Sequence, residues 1–374
     1  MRRQLESIEI PGETEARARA WNVVSAAFAE RQPVERPSRR LRFALAAAVV
    51  VAALAAVLSS PGQAVLDEIR ETVGVERAQP ALFSLPSPGQ LLVASDAGLW
   101  VVEQNGSKRL LGPYREGSWS PFGRFVVAAR ENELAALEPD GDVRWTLSRP
   151  GVRFPQWTGT ETDTRIAYVD RTGIRIVAGD GTGDRSLVPR GHGPIAWRPG
   201  PSRQLAYTDS TGRVAVVDVD TSAFLWRGKR DGRVVALEWS SNGRRLVATR
   251  TGGLDDLAVY TPRGALYTGF RTPRGAVTGA AVRPSSHAQA VALTVGDQAR
   301  LLMPGVRGVA LSGPGVLSDP TWSPDARWLV VGWPAADQLV LVRADGTRVR
   351  AVANASEQFR SHTFPRLQGW CCVP

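Results

Sequence analysis

A punctuated repeat of roughly forty residues runs through most of the chain and constrains its fold more than any other feature. Trp119-Ser120-Pro121-Phe122-Gly123-Arg124 opens one copy. The same punctuation returns at Trp239-Ser240-Ser241-Asn242-Gly243-Arg244 and at Trp322-Ser323-Pro324-Asp325-Ala326-Arg327. Weaker copies begin at Trp157, at Trp197 (followed by Arg198-Pro199) and at Val282 (followed by Arg283-Pro284). The six anchors are separated by 38, 40, 42, 43 and 40 residues. Each copy continues with a hydrophobic strand, as at residues 125–129, 204–208 and 329–332, and in most copies a Gly-containing turn follows. A second β-rich run comes next, and several copies then carry a tight turn at Asp140-Gly141, Asp180-Gly181 or Asp345-Gly346. Hairpins without helical periodicity between them make meandering antiparallel sheets. A period of this length is what one four-stranded propeller blade requires.

The anchor resembles the Trp-Ser-Pro-Asp-Gly-Arg repeat of bacterial TolB-like and WD-repeat β-propellers across roughly residues 83–374. The resemblance implies an all-β propeller, and it leaves function open because such propellers serve many roles. Phe122 stands where the motif has Asp, and Ala326 where it has Gly. Six anchored copies leave two ends. Residues 83–111 hold strands at 91–94 and 99–103 but only a degenerate opening strand, whereas the tail around Leu367 and Trp370 looks like an opening strand alone. The tail is therefore expected to complete the first sheet, giving about seven blades and removing the exposed sheet edges. Trp119, Trp157, Trp197, Trp239, Trp322 and Trp370 are read as repeat anchors that pack between blades, not as a ligand platform.

Upstream lies a different kind of sequence. Residues 43–58 are sixteen apolar side chains without interruption, about 24 Å of helix at about 1.5 Å per residue. With Arg42 snorkelling at one end and Ser59 and Ser60 extending the other, residues 43–60 are expected to form a transmembrane helix. Arg31, Arg36, Arg39, Arg40 and Arg42 crowd its N-terminal flank, while the C-terminal flank mixes Arg70 and Arg77 with four acids. The positive-inside rule then places residues 1–42 in the cytoplasm and residues 80–374 outside it. Gly62-Gln63-Ala64 offers small residues for cleavage, but forty-two preceding residues far exceed a signal-peptide leader, which favours an uncleaved, single-pass signal anchor.

Within residues 1–42, apolar positions from Ala16 to Phe28 recur at helical spacing and predict an amphipathic helix over 12–31. Trp21, Val24 and Phe28 are its candidate partner-docking residues; the alternative is a marginal helix with no partner. Residues 61–79 read as a short stalk helix ending at Gly74, followed by a Pro-containing linker.

The net charge is +10 with 46 basic residues, which could indicate nucleic acid. The charge is spread along the chain instead of gathered into a stripe or basic helix, so nucleic acid is not expected as a partner. The scarcity of Lys (Lys108 and Lys229) beside abundant Arg is what a GC-rich bacterial genome produces. His192, His287 and His362 stand alone, and no nucleophile elbow, P-loop or HExxH occurs. No catalytic residue, metal site or cofactor is expected. The adjacent Cys371 and Cys372 could form a vicinal disulfide that pins the closing strand, bridge to another chain or serve a redox role.

Together these features predict a non-enzymatic, membrane-anchored binding or sensing module. Its propeller would meet a protein or envelope component, and its arm a cytoplasmic partner in the manner of anti-sigma-like regulators. An envelope assembly scaffold and a propeller enzyme are the alternatives.

Overall fold

The computed structural model describes residues 75–76 and 84–372, apart from 161, 272–276, 285–290, 297 and 303–309. The chain divides into residues 1–68 and 69–374, and everything described belongs to the second unit. The amphipathic helix expected at 12–31, with Trp21, Val24 and Phe28, lies outside the described residues, as does the span expected at 43–60. No helix among the described residues is long and apolar enough to cross a membrane.

The described strands form seven sheets. Six use consecutive strands; the second, for example, runs Glu116–Trp119, Val126–Arg130, Glu133–Leu137 and Val143–Ser148. The first sheet instead begins with the far end of the chain. Arg366–Cys371 pairs antiparallel with Gln90–Ser95, which leads on to Gly98–Val102 and Lys108–Gly112. The seventh sheet, Ser318–Trp322 to Val349–Val352, gains a short parallel strand, Val75–Glu76, on its outer edge. Opening strands of successive sheets lie against one another, and Arg366–Cys371 lies between those of the seventh and second sheets. The fold is an all-β propeller. Helix is confined, among the described residues, to one turn at Ala355–Gln358 and a 3-10 turn at Pro334–Ala336.

Why the second strand of each repeat reads as unbroken apolar sequence is now clear. Val126, Val127, Ala128 and Ala129 are all buried, because a neighbouring sheet covers each face. Outer strands such as Val143–Ser148 are mostly exposed. The core is accordingly divided into seven clusters, each shared by two adjacent sheets.

The repeat motif itself is a self-bracing turn. The Oγ of Ser120, Ser240 and Ser323 accepts from the backbone N–H five residues on, at 3.0, 3.0 and 2.9 Å. Gly123 and Gly243 supply the left-handed backbone that closes the turn (φ 67° and 63°); Ala326 takes the same conformation at φ 59°, where a side chain is less comfortable. Asn242 and Asp325 accept from their turn's Ser hydroxyl at 2.8 and 2.7 Å and from the N–H two residues on at 3.0 and 3.1 Å.

Candidate functional site

Antiparallel meanders sort their connections onto two faces. One, the turn face, carries the Ser-led turns and the Asp-Gly turns. The other, the loop face, carries the connections between second and third strands and those that lead from one sheet to the next.

On the loop face several carboxylates accept from backbone N–H groups. Asp96 accepts from the backbone N–H groups of His362 and Thr363, both at 2.9 Å. Asp231 accepts from Leu254 N–H at 2.7 Å and Asp255 N–H at 3.2 Å, and it pairs with the buried guanidinium of Arg250 at 3.0 Å. Burial opposes ionisation of Asp231, but these donors outweigh it and hold the carboxyl below its ordinary range. Asp170 and Asp209 likewise hold their own loops, through Gly173 N–H at 3.1 Å and Arg213 N–H at 3.0 Å. Loops lack a ladder to satisfy their amides, so carboxylates do it. Arg227 and Arg250 pair with Asp209 and Asp231, but other bases are left outward. Arg115, Arg171, Arg190, Lys229, Arg230 and Arg233 are exposed and carry no ion pair among the described residues. They form a cationic arc spread over the connections from the first sheet to the fifth.

The turn face is built differently. Asp163 and Arg165 of the third sheet and Arg203 and Asp220 of the fourth close into one ion network, with Arg165–Asp163 at 3.2 Å and Arg203–Asp220 at 3.2 Å. Arg144 pairs with Glu138, and Arg343 with Asp345 at 3.3 Å. Several acids and bases pair here, while Arg124, Arg244, Arg263 and Arg348 are exposed with no ion pair among the described residues.

Inner-strand side chains tie the sheets together. Glu116 accepts from Phe154 N–H at 2.5 Å, Gln368 from Gly117 N–H at 3.3 Å and Glu238 from Val282 N–H at 2.8 Å. Glu238 is half-buried on its inner strand, and its desolvation there pushes the carboxyl up to about 7 against the Val282 donor.

The anchors Trp119, Trp157, Trp239, Trp322 and Trp370 are buried, each in a cluster shared with the preceding sheet. Trp197 is half-buried at the edge of its cluster, where its indole N–H reaches Gln156 O at 3.0 Å. The Cys371 and Cys372 sulfurs face each other, and they approach Ser120 O at 3.8 Å and Pro121 O at 3.7 Å. The closing strand is thereby seated on the turn of the second sheet. His192 and His362 are exposed on the loop face, and His287 lies outside the described residues. No three His, Cys, Asp or Glu among the described residues converge as a metal site. The cationic arc and Glu238 escaped the sequence reading altogether.

No family model matches the chain, and no curated protein matches it in sequence. Solved structures do resemble it. The C-terminal WD40 domain of Sif2 superposes with a TM-score of 0.50 at 13% identity, over 79% of this chain and 89% of that one. BBS1N, crystallised in complex with ARL6DN, gives a TM-score of 0.50 at 12% identity, over 73% of this chain and 91% of that one. The fold is a WD40-like β-propeller.

Proposed function

We propose that this chain is a non-enzymatic protein-binding module whose cationic loop face meets an acidic protein surface. All seven sheets act as blades of one ring closed by Arg366–Cys371, and a vicinal Cys371–Cys372 disulfide pins that closure. Residues 43–60 tether the ring as a single-pass anchor, residues 80–374 stand outside the cytoplasm, and residues 1–42 engage a cytoplasmic partner as an anti-sigma-like regulator does.

One observation carries the binding role: Arg115, Arg171, Arg190, Lys229, Arg230 and Arg233 stand exposed on the loop face with no ion pair among the described residues. Unpaired charge of one sign steers an oppositely charged partner and fixes its register. BBS1N, which this chain resembles in fold, was solved in complex with ARL6DN, which supports a protein partner here.

Binding of the full chain to immobilised polyglutamate across a salt series tests the arc. The triple variant Arg115→Glu, Arg190→Glu, Arg230→Glu should bind about tenfold more weakly. A charge-matched control on the turn face, Arg244→Glu, Arg263→Glu, Arg348→Glu, should lose much less. Equal losses would reduce the arc to net charge and overturn the assignment. The tether is tested by protease access to a tag at residue 374 in intact cells; full protection from external protease overturns the orientation.

A further inference from the structure

Where one sheet meets the next on the turn face, the residue following an anchor decides what fills the gap. Arg198, after Trp197, lays its guanidinium over the Trp239 ring at 5.5 Å and donates from Nε to Gly243 O at 2.8 Å. Arg283, after Val282, repeats the device: it lies 5.3 Å from the Trp322 ring centre and donates to Ala326 O at 3.1 Å. Between the first and second sheets the cysteine pair occupies the gap, so close that a Cβ added at Gly123 would sit 3.1 Å from Cys372 Sγ.

Between the second and third sheets the corresponding residue is Ser120. Its hydroxyl is engaged with Phe125 N–H at 3.0 Å, and it is too short to reach Trp157. A cavity of about 400 Å³ opens there, lined by Phe122, Arg124, Phe125, Arg144, Trp145 and Trp157 among others. That volume falls within the range of about 300–1,000 Å³ typical of ligand pockets. Phe125 stacks on Trp157 at 5.9 Å with an interplanar angle of 15°, and Arg144 lies 5.8 Å from the Phe125 ring centre.

The rim holds a second departure. Phe122 replaces the Asn or Asp that braces the equivalent turns at Asn242 and Asp325, and it is 47% exposed. The turn forgoes two hydrogen bonds and displays an aromatic ring to water at the rim of the cavity. Arg124 is exposed beside it and carries no ion pair among the described residues.

Resting on the reading of the propeller as a protein-binding module, we propose that this junction receives an aromatic side chain from a partner segment with carboxylates beside that aromatic. Phe122 takes the ring beside the stacked Phe125 and Trp157, and Arg124 takes the acids. A cationic guest, of the kind that fills the Arg198 and Arg283 junctions, is disfavoured because Arg144 already lies over Phe125 and Arg124 lines the mouth. Asp180, also at the edge, has its carboxylate engaged by Thr182 N–H at 3.0 Å and Thr182 Oγ at 2.7 Å.

Fluorescence polarisation of a labelled Asp-Asp-Phe-Asp-Asp peptide with the full chain tests this. Phe122→Asp should restore the brace, raise the melting temperature and weaken binding at least about tenfold, the scale of a lost aromatic anchor. Ser120→Arg should plug the cavity as Arg198 does and weaken binding as much. Replacing the peptide's Phe with Ala, or its Asp residues with Lys, should also weaken it. Unchanged binding by both protein variants overturns the pocket. If the loop-face triple variant alone abolishes peptide binding, the pocket falls while the cationic face stands. If Phe122→Asp alone does so, the pocket stands whatever becomes of that face.

Discussion

The two faces of the propeller use the same residues, Asp, Glu and Arg, to opposite ends. On the turn face, connections are short, and a carboxylate such as Asp163 finds a guanidinium from the neighbouring sheet within reach. On the loop face, amides outside the ladders take carboxylates as acceptors. There Asp96, Asp170, Asp209 and Asp231 are drawn in to satisfy backbone donors. Three of them also hold an arginine, Asp170 with Arg175, Asp209 with Arg227 and Asp231 with Arg250, while Arg115, Arg190 and Arg230 face solvent with no ion pair among the described residues.

Three experiments press on that contrast, in descending order of effect. Both faces share the closing strand, since Arg366 starts at one and Cys371 ends at the other. Removing residues 362–374 should therefore abolish cooperative unfolding in a thermal melt followed by circular dichroism. A truncated chain with an unchanged melt would refute closure by this strand.

Next come the acids themselves. Asp231→Ala orphans two backbone donors and leaves the Arg250 guanidinium, 3% exposed, buried without its partner. A loss of about 3–5 kcal/mol is expected in denaturant unfolding. Asp220→Ala on the turn face breaks a solvent-screened network and should cost less than about 1 kcal/mol. Equal losses would erase the distinction between the faces. Because the Asp231 pKa is depressed on folding, its contribution is present above the usual carboxylate range and fades as pH falls through the folded value.

Glu238 supplies the opposite sign, from the inner strand between the faces. Its carboxyl rises on folding from 4.5 to about 7, so the folded chain holds the proton more tightly in that window. Stability from this group is full below 4.5 and is lost as pH climbs through about 7. Glu238→Gln keeps an acceptor for Val282 N–H but cannot ionise. The variant should flatten the decline, by at most about 3 kcal/mol. A wild-type melt insensitive to pH between 5 and 8 would contradict the burial of this acid.

The architecture was largely readable because its determinants are local and recur. Ser120, Ser240 and Ser323 brace their own turns, and apolar runs such as 126–129 follow from burial on both faces. Strand ends shift by a residue, as in Val126–Arg130 against the expected 125–129, where turn hydrogen bonds set the boundary. The cationic arc was hidden because Arg115, Arg190 and Arg230 are far apart in sequence, and only winding brings their connections to one face. The junction fillers left a signal that was misjudged. Arg198 and Arg283 looked like imperfect copies of the Ser position, whereas they are a second solution to covering the next sheet's anchor. Glu238 gave no warning, since an acid in an alternating strand ordinarily faces water.

A core partitioned into seven separate clusters has an evolutionary corollary. Each seam between neighbours can be remodelled while the other six hold the molecule together. The pocket beside Trp157 illustrates that licence: this seam keeps a cavity of about 400 Å³ at its mouth while Phe125 stacks on Trp157 beneath it.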